Sequence, residues 1–86
     1  MEAMLISRVE PLYPALAQQA RISGNVVLSI AVGKYGSVEN VKVISGHPLL
    51  IQAAIDAVKQ WVYKPYLVNG EPVEVQSTVT VQFSMQ

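Results

Sequence analysis

Eighty-six residues are enough for one domain at the small end of what folds alone, and they leave no room for a second core. Apolar residues make up 51% of the chain and charged residues 14%, which excludes intrinsic disorder and leaves apolar surface to spare for an interface. Six basic and six acidic residues cancel, so no basic field exists to attract nucleic acid or anionic lipid, and the absence of cysteine excludes disulfides and thiolate metal sites.

Residues 1–12 are mixed, with an apolar cluster at Met4-Leu5-Ile6, and are set apart as an N-terminal segment from a domain spanning 13–86. The start carries Glu2 in place of a basic residue and does not read as a signal peptide, and no apolar run approaches the roughly 20 residues of a membrane span. Pro11 and Pro14 bracket a bend. Pro14 suits a first helical position, where its missing N–H has no partner to lose, and it predicts a short helix to about Arg21. Tyr13, Leu16, Ala17 and Ala20 share one face of it, and Gly24 closes the segment.

Asn25–Val32 alternates Val26, Leu28, Ile30 and Val32 with weakly polar neighbours, which predicts a strand covered in part on both faces. Gly33-Lys34-Tyr35-Gly36 supplies the glycines of a tight hairpin turn. The return strand, Ser37–Ser45, breaks parity between Val38 and Val41, so a bulge near Glu39-Asn40 is expected.

Ser45-Gly46-His47-Pro48 opens the main helix, predicted from Pro48 to about Tyr63 and stopped by Pro65. Leu50, Ala54, Ala57, Val58 and Trp61 form its apolar stripe, and the alanines let it lie close on a sheet. Asn69-Gly70 between Tyr66-Leu67-Val68 and Val73 is a two-residue turn signal. The final strand, Val73–Phe83, alternates most cleanly. Val73, Val75, Ser77, Val79, Val81 and Phe83 face one way, and Glu74, Gln76, Thr78, Thr80 and Gln82 the other. The order helix, strand, strand, helix, strand gives an α+β fold: an antiparallel sheet of three or more strands with two helices packed on one face. Trp61 is expected to lie buried against Val26, Leu28 or Val79.

Little here suits catalysis. His47, the only histidine, precedes Pro48 and reads as the N-cap region of the main helix. No second histidine or cysteine supports a triad, and the carboxylates are scattered without a paired arrangement or a calcium-loop spacing. Gly33 and Gly36 flank a hairpin and do not open a helix, which is turn geometry and not a phosphate cradle. The reading is a binding module, not an enzyme, with no cofactor and no metal. One feature favours binding. The long final strand, with Thr, Gln and Glu outward, has the character of a sheet edge whose free N–H and C=O row accepts another strand; a central strand would have no such row.

The ordered pieces resemble the TonB C-terminal family. Tyr13-Pro14-Ala15-Leu16-Ala17 and Arg21-Ile22-Ser23-Gly24 are similar to its opening motif, and Gly36-Ser37-Val38-Glu39-Asn40-Val41 to its hairpin return. Ser45-Gly46-His47-Pro48-Leu49-Leu50, Ala53-Ala54, Trp61-Val62-Tyr63-Lys64-Pro65-Tyr66 and Asn69-Gly70-Glu71-Pro72-Val73 carry the rest, over about residues 5 to 83. The resemblance implies a periplasmic domain anchored to the inner membrane by a helix outside this chain. It implies capture of the TonB box of an outer-membrane transporter as an added strand, coupling the inner-membrane ion-motive force to siderophore or other nutrient import. The implied docking strand maps to Val73, Glu74, Val75, Gln76, Ser77, Thr78, Val79, Thr80, Val81 and Gln82, with Glu10 and Leu12 near the captured segment. No nucleic-acid or membrane contact by this fragment is expected.

Several positions depart from the family pattern toward apolar or neutral residues. Tyr35 stands where aspartate is usual, Val62 where arginine is usual, and Met4 and Ser29 where charge is common. Ile51, Ile55 and Val62, placed on the main helix, lie roughly 80–120° round from its stripe centre. Met4, Tyr35, Ile51, Ile55 and Val62 are therefore read as an alternative function, a homo-oligomer or designed protein–protein interface, natural or engineered. A homodimer is expected, either through strand pairing that includes a strand-exchanged form or through the Val62 flank.

Overall fold

The computed structural model describes residues 4–84. In chain order the elements are β1 (Met4–Ser7), α1 (Ala15–Gln19), β2 (Gly24–Val32), β3 (Val38–Ser45), α2 (Pro48–Val58), β4 (Val62–Lys64), β5 (Tyr66–Val68), β6 (Glu71–Val73) and β7 (Val75–Phe83). The strict alternation of β2 decides the architecture. Val26, Leu28, Ile30 and Val32 are all buried on one face, and β2 takes the middle of a three-stranded antiparallel sheet in the order β3-β2-β7. Helix α2 packs on that face against β2 and β3, and α1 packs on α2, so both helices lie on one side as the element order predicts. Leu28, Ile30, Leu50 and Val58 are among the fully buried side chains, each worth roughly 1.5–3 kcal/mol of transfer free energy.

The two outer strands differ. β3 is bulged twice against β2. Ala31 opposes Asn40 and Val32 opposes Val38, which leaves Glu39 as an extra residue, and Ile44 is extra between Val43 and Ser45. The first of these is the bulge expected from the parity break. β7 runs without a register shift from Phe83 opposite Gly24 to Val75 opposite Val32.

Three sequence boundaries need correction. The main helix ends at Val58, not near Tyr63, and Pro65 does not stop it. Trp61 and Tyr63 are both buried while Val62 and Lys64 are exposed. Two residues apart on a helix would be about 200° apart, so only an extended chain points both rings inward. The segment becomes β4, which pairs with β1 as Leu5 opposite Tyr63 and Met4 opposite Lys64. Trp61 is 4% exposed and belongs to the cluster that holds Val26 and Leu28.

The short helix is also shorter than expected. Pro14 is its N-cap, and it ends at Gln19, before Gly24. Arg21 takes a left-handed conformation, and the Ile22 N–H closes the turn on the Ala17 carbonyl at 2.8 Å. The final strand is two pieces. Asn69 and Gly70 take positive φ values of 52° and 83° in a two-residue turn, which ties Val73 to Tyr66 in the β5–β6 hairpin. β2 ends at Val32, opposite Val75, so Val73 has no partner in the main sheet.

Candidate functional site

Among the described residues, β7 hydrogen-bonds to β2 along one edge and to no strand along the other. An open groove of about 630 Å³ runs beside that free edge, against residues 76–80. Ser77 and Val79 point toward the core side and are half-buried, while Gln76, Thr78 and Thr80 are exposed. Ser29, on β2, stands opposite Thr78 and completes the polar floor.

The facing wall comes from the N-terminal ribbon and the chain after α2: Leu5, Arg8, Trp61 and Tyr63. Backbone and side-chain bonds fix that wall. The Tyr63 N–H donates to the Gly36 carbonyl at 2.8 Å, which locks β4 to the tip of the β2–β3 hairpin. The Trp61 Nε1–H donates to the Val9 carbonyl at 2.9 Å, which holds the segment after β1 across the indole. The Arg8 guanidinium lies over the Trp61 ring, 5.2 Å from its centroid. Arg8 Nε is also 3.6 Å from Glu10 Oε1, a loose pair in which the Glu10 side chain is largely in water and the Arg8 side chain about half exposed. Burial pushes the Tyr63 phenol above its ordinary value, and the Arg8 charge pulls it partly back. An aromatic wall, one cation and a strand edge with unused backbone donors and acceptors stand together around the groove.

The structure distributes the sequence-predicted residues unevenly. Val75, Gln76, Ser77, Thr78, Val79, Thr80, Val81 and Gln82 lie on β7, and the Val81 side chain is fully buried. Val73 lies on β6, outside the main sheet, and Glu74 is the residue between β6 and β7. Glu10 and Leu12 line a different groove, of about 440 Å³, with Leu49, Ala53 and Asp56 of α2. Leu12 is 85% exposed there. Glu10 reaches the β7 groove only through Arg8.

Of the apolar set, Tyr35 is 86% exposed at the hairpin tip and Val62 is 42% exposed on β4. Ser37 bridges Val62, which brings these two to one end of the molecule. Ile51 and Ile55 lie half-buried on α2 against the core, and Met4 begins β1. Val62 is not on the helix, so it shares no helical flank with Ile51 and Ile55.

Sequence reasoning missed the wall formed by Leu5, Arg8, Trp61 and Tyr63. Trp61, Val62 and Tyr63 are all apolar, so their alternating burial in and after the turn leaves no period-2 signal in the sequence, and nothing in the sequence pairs Arg8 with a ring 53 positions away. His47 caps α2, its Nδ1 accepting from the Leu49 N–H at 3.1 Å. Among the described residues no group of three or more metal-type ligands converges, and no helix is long and apolar enough to cross a membrane.

The family profile described as Gram-negative bacterial TonB protein C-terminal matches residues 9–85. Protein TonB of Vibrio cholerae is 29% identical over 86 residues, covering 98% of this chain and 35% of that protein. Protein TonB of Escherichia coli K12 is 37% identical over 62 residues, covering 70% of this chain and 26% of that protein. Protein tonB2 of Pseudomonas aeruginosa is 42% identical over 77 residues, covering 87% and 28%. The chain thus spans about a third of the length of the curated relatives it matches. The solution NMR structure of the Pseudomonas aeruginosa TonB CTD superposes with a TM-score of 0.80 at 22% identity, covering 98% of this chain and 87% of that one, a likeness of fold.

Proposed function

The chain belongs to the TonB protein C-terminal family of Gram-negative bacteria, and from that premise we propose that it captures an extended peptide segment by strand addition to the free edge of β7. The observation that carries this reading is the contrast between the two edges of the sheet. β3 presents an edge broken by two bulges, a device that discourages further pairing. β7 presents nine residues in unbroken register beside an open groove. An added strand gains backbone hydrogen bonds along Gln76–Thr80, and the alternate side chains that face the wall meet Leu5, Trp61 and Tyr63.

The partner is the TonB box of an outer-membrane transporter, the setting the periplasm, and the output the coupling of inner-membrane ion-motive force to nutrient import. Strand addition suits a puller. Load applied along paired strands is shared by several hydrogen bonds, whereas bonds at a strand end fail one after another. The test is titration of a TonB-box peptide into isotopically labelled protein. Amide shifts centred on residues 75–82, with slowed hydrogen exchange there, are expected. Shifts confined to other elements would sink the proposal.

A second reading rests on the same edge. β7 is regular enough to pair with the β7 of a second copy, giving a homodimer that blocks the groove. Light scattering distinguishes it, because such a dimer dissociates when the peptide is added. A dimer that survives saturating peptide uses another surface, and the exposed Tyr35 and Val62 end is then the place to mutate.

A further inference from the structure

Helix α2 carries a second stripe beside the one it buries. Leu50, Ala54 and Val58 belong to the core. Leu49, Gln52, Ala53, Asp56 and Ala57, at i, i+3, i+4, i+7 and i+8, line the groove of about 440 Å³, with Gln60 just beyond the helix. The opposite wall is Val9, Glu10, Leu12 and Pro14. That wall is anchored at both ends. The Val9 carbonyl accepts from the Trp61 indole at 2.9 Å, and the Pro14 carbonyl accepts from the Gln18 N–H at 3.0 Å in α1, which packs on α2. Between the anchors, among the described residues, no backbone hydrogen bond ties Glu10, Pro11 or Leu12 to α2, and the alanines at 53 and 57 put no bulk in the gap.

The groove is apolar inside and acidic at its rim. Leu12 and Leu49 are exposed and Ala53 is half-buried. Glu10 and Asp56, one on each wall, are the two charged side chains that line it. Lys59 lines the groove on the other side of α2, against β3. Gln52 Nε2 donates to Asp56 Oδ1 at 2.9 Å, and Gln60 Nε2 donates to the Asp56 carbonyl at 3.1 Å, which orders that rim. The one ion pair among the described residues is Arg8–Glu10, so Asp56 has no cation at ion-pair distance. Apolar side chains in water between two carboxylates are complementary to apolar anchors flanked by cations, and the same two charges oppose an anionic lipid surface.

We propose that this groove is a second docking site, which takes a protein segment carrying leucine-sized anchors beside lysine or arginine. It shares no lining residue with the β7 groove and fills independently of strand capture. The anchors enter over Ala53 and Ala57, between Leu12 and Leu49, and the cations meet Glu10 on one wall and Asp56 on the other.

The probes are three blocked peptides of equal length. One has two leucines flanked by two lysines, one has glutamine for both lysines, and one has serine for both leucines. Titration into the isotopically labelled chain is expected to shift amides of residues 9–14 and 49–60 and to leave residues 76–80 unmoved. At low salt the lysine peptide is expected to bind about tenfold more tightly than the glutamine peptide, about threefold from each partly exposed ion pair, with the ratio falling toward one as salt is raised. Asp56→Asn and Glu10→Gln each lower the ratio about threefold, and the serine peptide does not bind. Ala53→Leu fills the groove and abolishes binding. Leu49→Ser, at an exposed position that the fold tolerates, weakens the lysine peptide about fivefold and carries the test if Ala53→Leu does not fold. Equal binding of the lysine and glutamine peptides, shifts centred on residues 76–80, or no binding of the lysine peptide overturns the proposal. Self-association that Ala53→Leu or Leu49→Ser abolishes gives the groove to a second copy of this chain and overturns the proposed occupant.

Discussion

Replacing Gly36 by alanine tests the part of the fold that builds the groove wall. Gly36 has φ +92°, and a Cβ added there would stand 1.9 Å from the Tyr63 carbonyl oxygen and 3.0 Å from its carbon. Both obstacles are backbone atoms of β4, so no rotamer change relieves the clash and β4 itself must withdraw. The left-handed conformation costs a non-glycine residue roughly 1–3 kcal/mol. Withdrawal also loses the Tyr63–Gly36 hydrogen bond, about 1 kcal/mol net, and uncovers part of Trp61 and Tyr63, about 1 kcal/mol or more. The sum is about 3–5 kcal/mol, which for a domain of this size lowers Tm by at least about 12 °C. Gly70→Ala is the matched control. Its φ is +83°, but its added Cβ meets nothing within 4 Å, so only the conformational part applies. Urea and thermal unfolding of both variants, followed by circular dichroism, give the difference directly, expected at about 2 kcal/mol or more. A Gly36→Ala protein no less stable than Gly70→Ala would refute the claim that β4 is pinned to the hairpin tip by close backbone approach.

Trp61→Phe removes the indole donor to the Val9 carbonyl and should cost about 1–3 kcal/mol, with enhanced hydrogen exchange in β1 as the local signature. Because the Tyr63 phenol is raised above 10.0 in the fold and is neutral when protonated, the native state holds that proton more tightly than the unfolded chain. Its stabilisation is complete below the unfolded-state value and is lost as pH rises through the folded-state value. Alkaline unfolding curves should therefore fall from pH 10.0 upward, and less so in Tyr63→Phe. Neighbouring residues of β7 direct their N–H groups to opposite edges, so Ser77→Pro and Thr78→Pro should behave differently. One loses a bond to β2 and is destabilised by about 3 kcal/mol; the other stays folded and no longer binds peptide. Two proline variants that both fold and both bind would rule out pairing along this stretch.

Local patterns carried much of this fold. The alternation of Val26, Leu28, Ile30 and Val32, the glycines of the Gly33–Gly36 turn, the parity break after Val38, the Asn69-Gly70 turn and the proline at the start of α2 are each settled by neighbours within a few residues, and the structure follows them. The same locality explains the error at Trp61. Leu50, Ala54, Ala57, Val58 and Trp61 fit a helical period, and only the simultaneous burial of Tyr63 forces the chain to extend. That burial depends on β1 and the hairpin tip, which are far away in sequence.

The wall of the groove is beyond local reading for the same reason. Arg8 meets Trp61, and Tyr63 meets Gly36, only after the sheet and helices have fixed where those segments cross. The amino-acid sequence by itself determined that the last strand has one dry face and one wet face, because side-chain alternation is a property of the strand alone. Which of the strand's two edges is left open, and what stands beside it, was decided by the tertiary structure, because hydrogen-bond partners are chosen between segments and leave no periodic trace along either one.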